Sequence, residues 1–83
     1  MQVTVRYFAA LREALGAQEQ LELAEATTLA ALRDRLIASS PRHAEALRRS
    51  RALRCAIDQQ LAEESALLPA GAEVAFFPPV TGG

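Results

Sequence analysis

The stretch that decides the fold is the end of the chain, Ala72-Glu73-Val74-Ala75-Phe76-Phe77-Pro78-Pro79-Val80-Thr81-Gly82-Gly83. Residues 72–77 alternate, with Val74 and Phe76 on one side of a predicted strand and Phe77 on the other. The two prolines end this strand, because proline donates no backbone hydrogen bond and restricts the residue before it. A strand followed by a stiff tail over residues 78–83 is therefore expected.

The beginning of the chain alternates in the same way. Val3, Val5 and Tyr7 form the inward side of a predicted strand over residues 2–8. Phe8 then falls on the outer, polar side of that strand or at its end, where an aromatic residue is unexpected.

The spacing of apolar residues and of turn formers predicts the elements between these two strands. They are a helix over residues 9–15 ending at Gly16, a strand over residues 18–23, and a main helix from Thr27 or Thr28 to about Ser39. Next come a helix from Ser40-Pro41 to about Leu47 and a strand with Leu53, Cys55 and Ile57 inward. A turn at residues 58–60 leads to a short strand around Leu61. A helical turn at residues 65–68 and a turn at residues 69–71 complete the series.

This order of elements predicts an α+β protein with a β-grasp (ubiquitin-like) fold, in which a mixed sheet of four to five strands packs on one main helix. Residues 1–77 are expected to form the domain and residues 78–83 an extended Gly-Gly tail. In β-grasp proteins the first and last strands are parallel neighbours in the middle of the sheet. Phe8 and Phe77 should therefore lie close together on its outer face.

Composition and charge narrow the classes of function. With 83 residues, of which 51% are hydrophobic and 23% charged, the chain has a core but little room for a deep active site of its own. The formal net charge of -1 gives no general argument for nucleic-acid binding. No apolar run approaches the roughly 20 residues that span a membrane, and no signal peptide is evident. A cytoplasmic protein without membrane or nucleic-acid partners is expected.

Two isolated reactive side chains have a structural and a functional interpretation. Cys55 could relay sulfur, but its place between Leu53 and Ile57 favours a thiol in the core. His43 could act as a base or a ligand, but it lacks metal-binding companions, so a plain position on a surface helix is favoured. No metal site is predicted.

The charged residues of the second half allow similar alternatives. Arg48, Arg49, Arg51 and Arg54 form a basic run, which suits a solvated face or steering toward an acidic partner better than nucleic-acid binding, since no aromatic residues interleave it. Glu63 and Glu64 are interpreted as solvated loop residues, because no cleft is apparent around them. None of these side chains suggests catalysis by the domain alone.

The tail carries the chemistry that the domain lacks. Pro78 and Pro79 favour an extended path, and residues 78–83 reach at most roughly 20 Å. Gly82 and Gly83 lack a Cβ, so they can enter a narrow channel. Adenylation by ATP would turn the terminal carboxylate into a mixed anhydride, and a sulfur donor could then leave a thiocarboxylate on Gly83. The alternative is a frayed chain end without a function.

Three segments of the chain resemble the small subunits of molybdopterin synthase, which are ubiquitin-like sulfur carriers of the MoaD/ThiS type. The segments are Tyr7-Phe8-Ala9 with Leu11-Arg12-Glu13 and Gly16, Leu68 with Gly71, and Glu73 to Gly83. The resemblance spans essentially the whole chain but is specific at its two ends. Ala72, where an acid is common, and Asp58, where Asn is expected, depart from the pattern in turns and leave the tail untouched.

The resemblance implies a set of partners and residue roles. An E1-like adenylyltransferase would consume ATP to activate Gly83, a sulfurtransferase system would supply sulfur, and the carrier itself would bind no cofactor. The tail residues Pro78, Pro79, Val80, Thr81 and Gly82 would insert into the large catalytic subunit, which converts cyclic pyranopterin monophosphate to the dithiolene of molybdopterin in a heterotetramer. Phe8, Leu61 and Phe77 would form the contact with that subunit.

Three other functions remain open from the sequence. A related carrier for thiamine, tRNA thiolation or cysteine synthesis would use the same chemistry at Gly83. A ubiquitin-like protein modifier would leave adducts on target lysines. A binding module with an incidental tail would not need Gly82 and Gly83 at all.

Overall fold

A computed structural model describes residues 1–79. Its strands are β1 (Gln2–Tyr7), β2 (Gln18–Glu22), β3 (Arg54–Ile57), β4 (Gln60–Ala62) and β5 (Glu73–Phe77), and its helices are α1 (Ala10–Leu15), α2 (Leu29–Ile37) and α3 (Pro41–Ala46). In this part of the chain the strands form one mixed sheet in the order β2-β1-β5-β3-β4. Only β1 and β5 pair in parallel, and they lie beside each other at its centre. The predicted α+β, β-grasp architecture is confirmed.

The core lies between one face of the sheet and the helices. Val3, Val5 and Tyr7 of β1 are buried, as the alternation predicted, and they share the core with Val74 and Phe76 of β5. The helices contribute Leu11, Leu29, Leu32, Leu36, Ala46 and Leu47 to the same core. The opposite face of the sheet is therefore left uncovered by the helices.

The predicted helix ends are present with the expected hydrogen bonds. Thr28 caps α2, because its side-chain oxygen accepts a hydrogen bond of 3.1 Å from the amide of Ala31. Ser40 caps α3 in the same way, accepting from the amide of His43 at 3.1 Å. Gly16 follows α1 with a φ of 92°, a left-handed conformation that glycine adopts without steric cost. These local signals therefore fix where the helices begin and end.

The predicted helical turn at residues 65–68 is wrong. The turn lies one to two residues earlier, where the amide of Ala66 donates to the carbonyl of Glu63 at 3.0 Å, and Leu67 forms a β-bridge with Thr28. The reason is the beginning of α2, whose first amides have no partner within the helix. The carbonyls of the turn accept from them: the amide of Leu29 donates to Ala66 at 3.0 Å, and the amide of Ala30 donates to Glu64 at 2.8 Å. These bonds hold Leu67 beside Thr28 as an extended residue.

A buried arginine, which the sequence did not reveal, holds the loop between α3 and β3. The side chain of Arg33 is 3% exposed, and its guanidinium donates to the carbonyls of Leu47, Arg48 and Arg51 at 2.7–2.9 Å. The same group forms an ion pair with Glu64 at 2.7 Å. The interpretation of Glu64 as a solvated loop residue is therefore wrong, because this carboxylate ties the loop before β5 to α2.

Candidate functional site

The uncovered face of the sheet, here called the outer face, carries a shallow groove. Residues that pair across neighbouring strands project to the same side, and the pairs Arg54–Phe77, Ala56–Ala75 and Ala56–Leu61 all do so here. The groove encloses about 460 Å³. Its lining residues are Arg6, Phe8, Ala56, Gln59, Leu61, Glu73, Ala75 and Phe77.

The structure brings together the three residues predicted to contact a partner. Phe8 is 39% exposed, Leu61 is 64% exposed and Phe77 is half-buried, and all three line the same groove. The expected proximity of Phe8 and Phe77 is confirmed, and it follows from the parallel pairing of β1 with β5. Their contact with a partner stays a prediction.

Phe8 is held on the outer face by its backbone and by a neighbouring charge. Ala9, the residue immediately before α1, has a φ of 54° and a ψ of -131°, an unfavourable conformation for a residue with a Cβ. The guanidinium of Arg6 lies 5.5 Å from the centre of the Phe8 ring and 3.6 Å from the carboxylate of Glu73. Phe8 is thus an apolar side chain presented at the border of the groove, beside a paired charge.

The chain leaves the sheet at the same end of the outer face. β5 ends at Phe77, opposite Arg54 of β3, and is followed by a half-buried Pro78 and an exposed Pro79. The predicted tail residues Val80, Thr81, Gly82 and Gly83 lie outside the described residues. The boundary between domain and tail, the insertion of the tail into a partner and the activation of Gly83 therefore stay predictions.

The turn between β3 and β4 places Leu61 on the groove. Asp58 and Gln59 have φ values of 49° and 70°, as a tight two-residue hairpin requires. The Asp58 carboxylate accepts from the amide of Glu73 at 2.9 Å, while the Asp58 amide donates to the Glu73 carbonyl at 2.8 Å. Asp tolerates the left-handed region nearly as well as the expected Asn. This departure from the family pattern therefore leaves the hairpin intact.

The two isolated reactive side chains lie away from the groove. Cys55 is 3% exposed in the core, and burial raises the pKa of its thiol to about 11, as expected of a core residue rather than a relay. His43 is half-buried, unlike the plain surface residue that was expected: its Nε2 lies 2.7 Å from Glu19 and its Nδ1 2.7 Å from Ser40. The hydroxyl of Tyr7 also donates to Glu19, at 2.7 Å. Burial, followed by this hydrogen bond, raises the pKa of the Tyr7 phenol.

The contacts of His43 tie α3 to the sheet. The sequence contained a signal for the acceptor that these contacts share with Tyr7, because the hydroxyl of an inward Tyr7 needs an acceptor once it is buried, and Glu19 is that acceptor. Neither the tyrosine nor the histidine lines the groove. Within residues 1–79 no three His, Cys, Asp or Glu side chains are grouped as metal ligands would be. In the same range, none of the helices has the length and apolar character needed to cross a bilayer.

Comparison with known proteins agrees with this arrangement. The sequence profile of the ThiS family matches residues 5–83. The chain is 42% identical over 81 residues to the molybdopterin synthase sulfur carrier subunit of Escherichia coli K12, covering 98% of this chain and 99% of that protein. It is 39% identical over 82 residues to the protein of the same name from Haemophilus influenzae, with the same coverage.

A solved structure resembles the whole fold. It is a putative molybdopterin converting factor, subunit 1, from Pyrococcus furiosus, with a TM-score of 0.79 and 25% sequence identity. The alignment covers 96% of this chain and 99% of that one. The fold therefore has a close counterpart among solved proteins.

Proposed function

Because the chain belongs to the ThiS family, we propose that it is the sulfur carrier subunit of a cytoplasmic molybdopterin synthase. The observation that carries this proposal is the point at which the chain leaves the sheet. The chain leaves the sheet at Phe77, at the border of an apolar groove that also contains Phe8 and Leu61. A partner that covers this groove also receives the residues that follow Pro79. The two curated relatives named for this role match the chain over nearly its full length.

The reactive group in this proposal is the carboxylate of Gly83. An E1-like adenylyltransferase transfers AMP from ATP to a carboxylate oxygen, and pyrophosphate leaves. Hydrosulfide supplied by a sulfurtransferase system then attacks the acyl carbon, AMP leaves with the bonding electrons, the proton on sulfur is released, and a thiocarboxylate remains. Within residues 1–79 the structure offers no cluster of ionisable side chains in the groove beyond the Arg6–Glu73 pair, which suits a carrier that delivers a group and leaves the catalysis to its partners.

In the second stage the large subunit binds the groove and receives the tail. Phe8, Leu61 and Phe77 provide the apolar centre of the contact, and the extended segment from Pro78 to Gly82 brings the sulfur of Gly83 to the pyranopterin substrate. Two small and two large subunits form the synthase. The carrier binds no cofactor in either stage, because ATP is used by the activating enzyme.

Intact-mass spectrometry tests the first stage. The carrier is incubated with an activating enzyme, ATP and a sulfur source, and its mass should increase by about 16 Da as sulfur replaces one oxygen of the terminal carboxylate. A chain shortened by Gly82 and Gly83 is the control and should keep its mass. No increase in the full chain, under conditions in which a known carrier is converted, would contradict the proposal.

The second stage is tested by conversion of cyclic pyranopterin monophosphate with a recombinant large subunit. Product should form only with the thiocarboxylated carrier. If the thiocarboxylated carrier instead restores thiamine synthesis or tRNA thiolation and leaves the pterin unchanged, it serves one of the related pathways. If it appears as adducts on lysines of other proteins, it is a modifier.

Substitutions at the groove test the docking surface separately. Phe8→Asp or Leu61→Asp should weaken binding of the large subunit about 10- to 100-fold, because each places a charge in the apolar centre of the contact. Leu67→Asp is the matched control, since Leu67 is 62% exposed but does not line the groove. Equal losses for Leu61→Asp and Leu67→Asp would show that the partner binds elsewhere.

A further inference from the structure

The four arginines of the basic run do not form one patch in the structure. Arg48 pairs with Glu45, and Arg49 pairs with both Asp34 and Glu64. Arg51 is half-buried, and its carbonyl accepts from the guanidinium of Arg33. Arg48 and Arg49 are therefore paired within the domain, whereas the guanidiniums of Arg51 and Arg54 form no ion pair within residues 1–79. Of these two, Arg54 is the one on the outer face, because it begins β3 and is the register partner of Phe77.

Arg54 lies where the tail leaves the sheet. It is the register partner of Phe77, the last residue of β5, so the two side chains project from the same face. It also lines a small concavity with Leu61, Ala62 and Glu63, which adjoins the apolar groove through the shared Leu61. Within residues 1–79 its exposed guanidinium forms no ion pair and no side-chain hydrogen bond.

The other arginine of the outer face differs in this respect. Arg6 is paired with Glu73 at 3.6 Å and lies 5.5 Å from the ring of Phe8, so its charge is largely compensated within the carrier. As far as residues 1–79 are concerned, a partner that covers the groove meets a paired charge at Arg6 and an unpaired charge at Arg54. Covering an unpaired guanidinium costs free energy unless an acceptor replaces the water it loses.

We propose that the large subunit presents a carboxylate to Arg54 at the tail exit, and that this pair orients the carrier so that the tail enters the partner. The proposal rests on the proposed function, because it assigns a feature of the partner that binds this same face. Charges at the border of an interface act mainly on the association rate and on orientation. Glu63, on the same concavity, has the opposite sign and should repel the same carboxylate.

Association kinetics with the recombinant large subunit test this inference, measured at about 50 mM and about 300 mM salt. Arg54→Gln should lower the association rate about two- to fivefold at low salt, and the difference should shrink at high salt, where the Debye length is shorter. Glu63→Gln should raise the association rate. Arg54→Lys, which keeps the positive charge, should retain most of the wild-type rate. The matched control is Arg42→Gln, which removes the same charge from an exposed arginine on α3, outside the groove.

The outcomes separate the two proposals. If Arg54→Gln and Arg42→Gln slow association equally, only net charge matters and the pairing at Arg54 is refuted while docking on the groove stands. If Arg54→Gln accelerates association, the partner is basic at this point and the inference is likewise overturned. If the wild-type carrier does not bind the large subunit at all, the proposed function fails and the inference fails with it.

Discussion

The buried guanidinium of Arg33 supports the prediction that the structure defines most sharply. Arg33→Met keeps the apolar stem of the side chain but removes the four hydrogen bonds that the guanidinium donates, so the carbonyls of Leu47, Arg48 and Arg51 lose their charged partner. Glu64 keeps only its ion pair with Arg49. Hydrogen bonds to a charged group contribute about 1.5–3 kcal/mol each, and breaking a buried ion pair costs about 3–5 kcal/mol. Because these terms overlap, we expect the free energy of unfolding to fall by about 3–5 kcal/mol.

Urea denaturation measures this loss directly. A domain of this size has a denaturant slope of about 1 kcal/mol per molar urea, so the unfolding midpoint should fall by about 3 M or more. A loss of this size is a large part of the 5–15 kcal/mol typical of a small domain. Arg33→Lys should fall between wild type and Arg33→Met, because a single ammonium cannot reach all the acceptors that surround the edge of the planar guanidinium.

The control for this prediction removes a neighbouring arginine that is exposed. The side chain of Arg49 is 45% exposed and contacts Asp34 and Glu64, so Arg49→Met should cost no more than about 1 kcal/mol. If Arg33→Met lies within about 1 kcal/mol of wild type, the loop before β3 is held by other contacts. The role assigned to the buried guanidinium is then refuted.

Three further predictions concern the hairpin and the titrating groups. Gln59→Gly should stabilise the domain by about 0.5–1 kcal/mol, because Gln59 has a φ of 70°, which costs a residue with a Cβ but not glycine. The thermal midpoint should rise by about 3–6 °C, and an unchanged or lower midpoint would contradict this. Burial raises the pKa of Cys55 from about 9 to about 11, so the folded state holds this proton more tightly and the free energy of unfolding should fall as pH rises across that interval. Cys55→Ala should lessen this fall. An alkaline stability profile identical to that of the wild type would count against the prediction. Burial alone would raise the pKa of Glu64, but hydrogen bonds from Arg49 and Arg33 outweigh it, and the pKa is lowered. The contribution of Glu64 to stability is therefore present above the ordinary glutamate pKa and lost as pH falls through the folded value. Glu64→Gln should flatten the loss of stability at acid pH in urea titrations, and an unaltered loss would refute the assignment.

Local signals in the sequence were sufficient to predict the framework of this protein. Alternation identified the inward residues of β1 and β5, and Thr28, Ser40 and Gly16 identified helix ends, because each acts through hydrogen bonds or backbone geometry within a few residues. The meeting of Phe8 with Phe77 needed one step of fold knowledge, namely that the first and last strands are neighbours. All of these depend on short-range patterns combined with one topology.

The features that the sequence did not reveal depend on contacts between distant segments. Arg33 lies four residues after Leu29, on the apolar side of α2, but an arginine is ordinarily exposed, and the contacts that keep its guanidinium buried come from the distant loop from Leu47 to Arg51. Glu64 looked like a loop acid because its two arginine partners lie 31 and 15 residues away. The extended segment at residues 67–68 was missed for the same reason, since it pairs with the beginning of α2.

The central position of β5 has a mechanical consequence. A partner that grips the chain beyond Pro79 and pulls outward applies its force along a strand that is bonded on both sides, in parallel to β1 and antiparallel to β3. Both ladders must then slide at once, whereas a strand at the border of a sheet is held by one ladder only. The geometry therefore gives the body of the protein a high resistance to being unravelled when its end is drawn into, or withdrawn from, a tight channel.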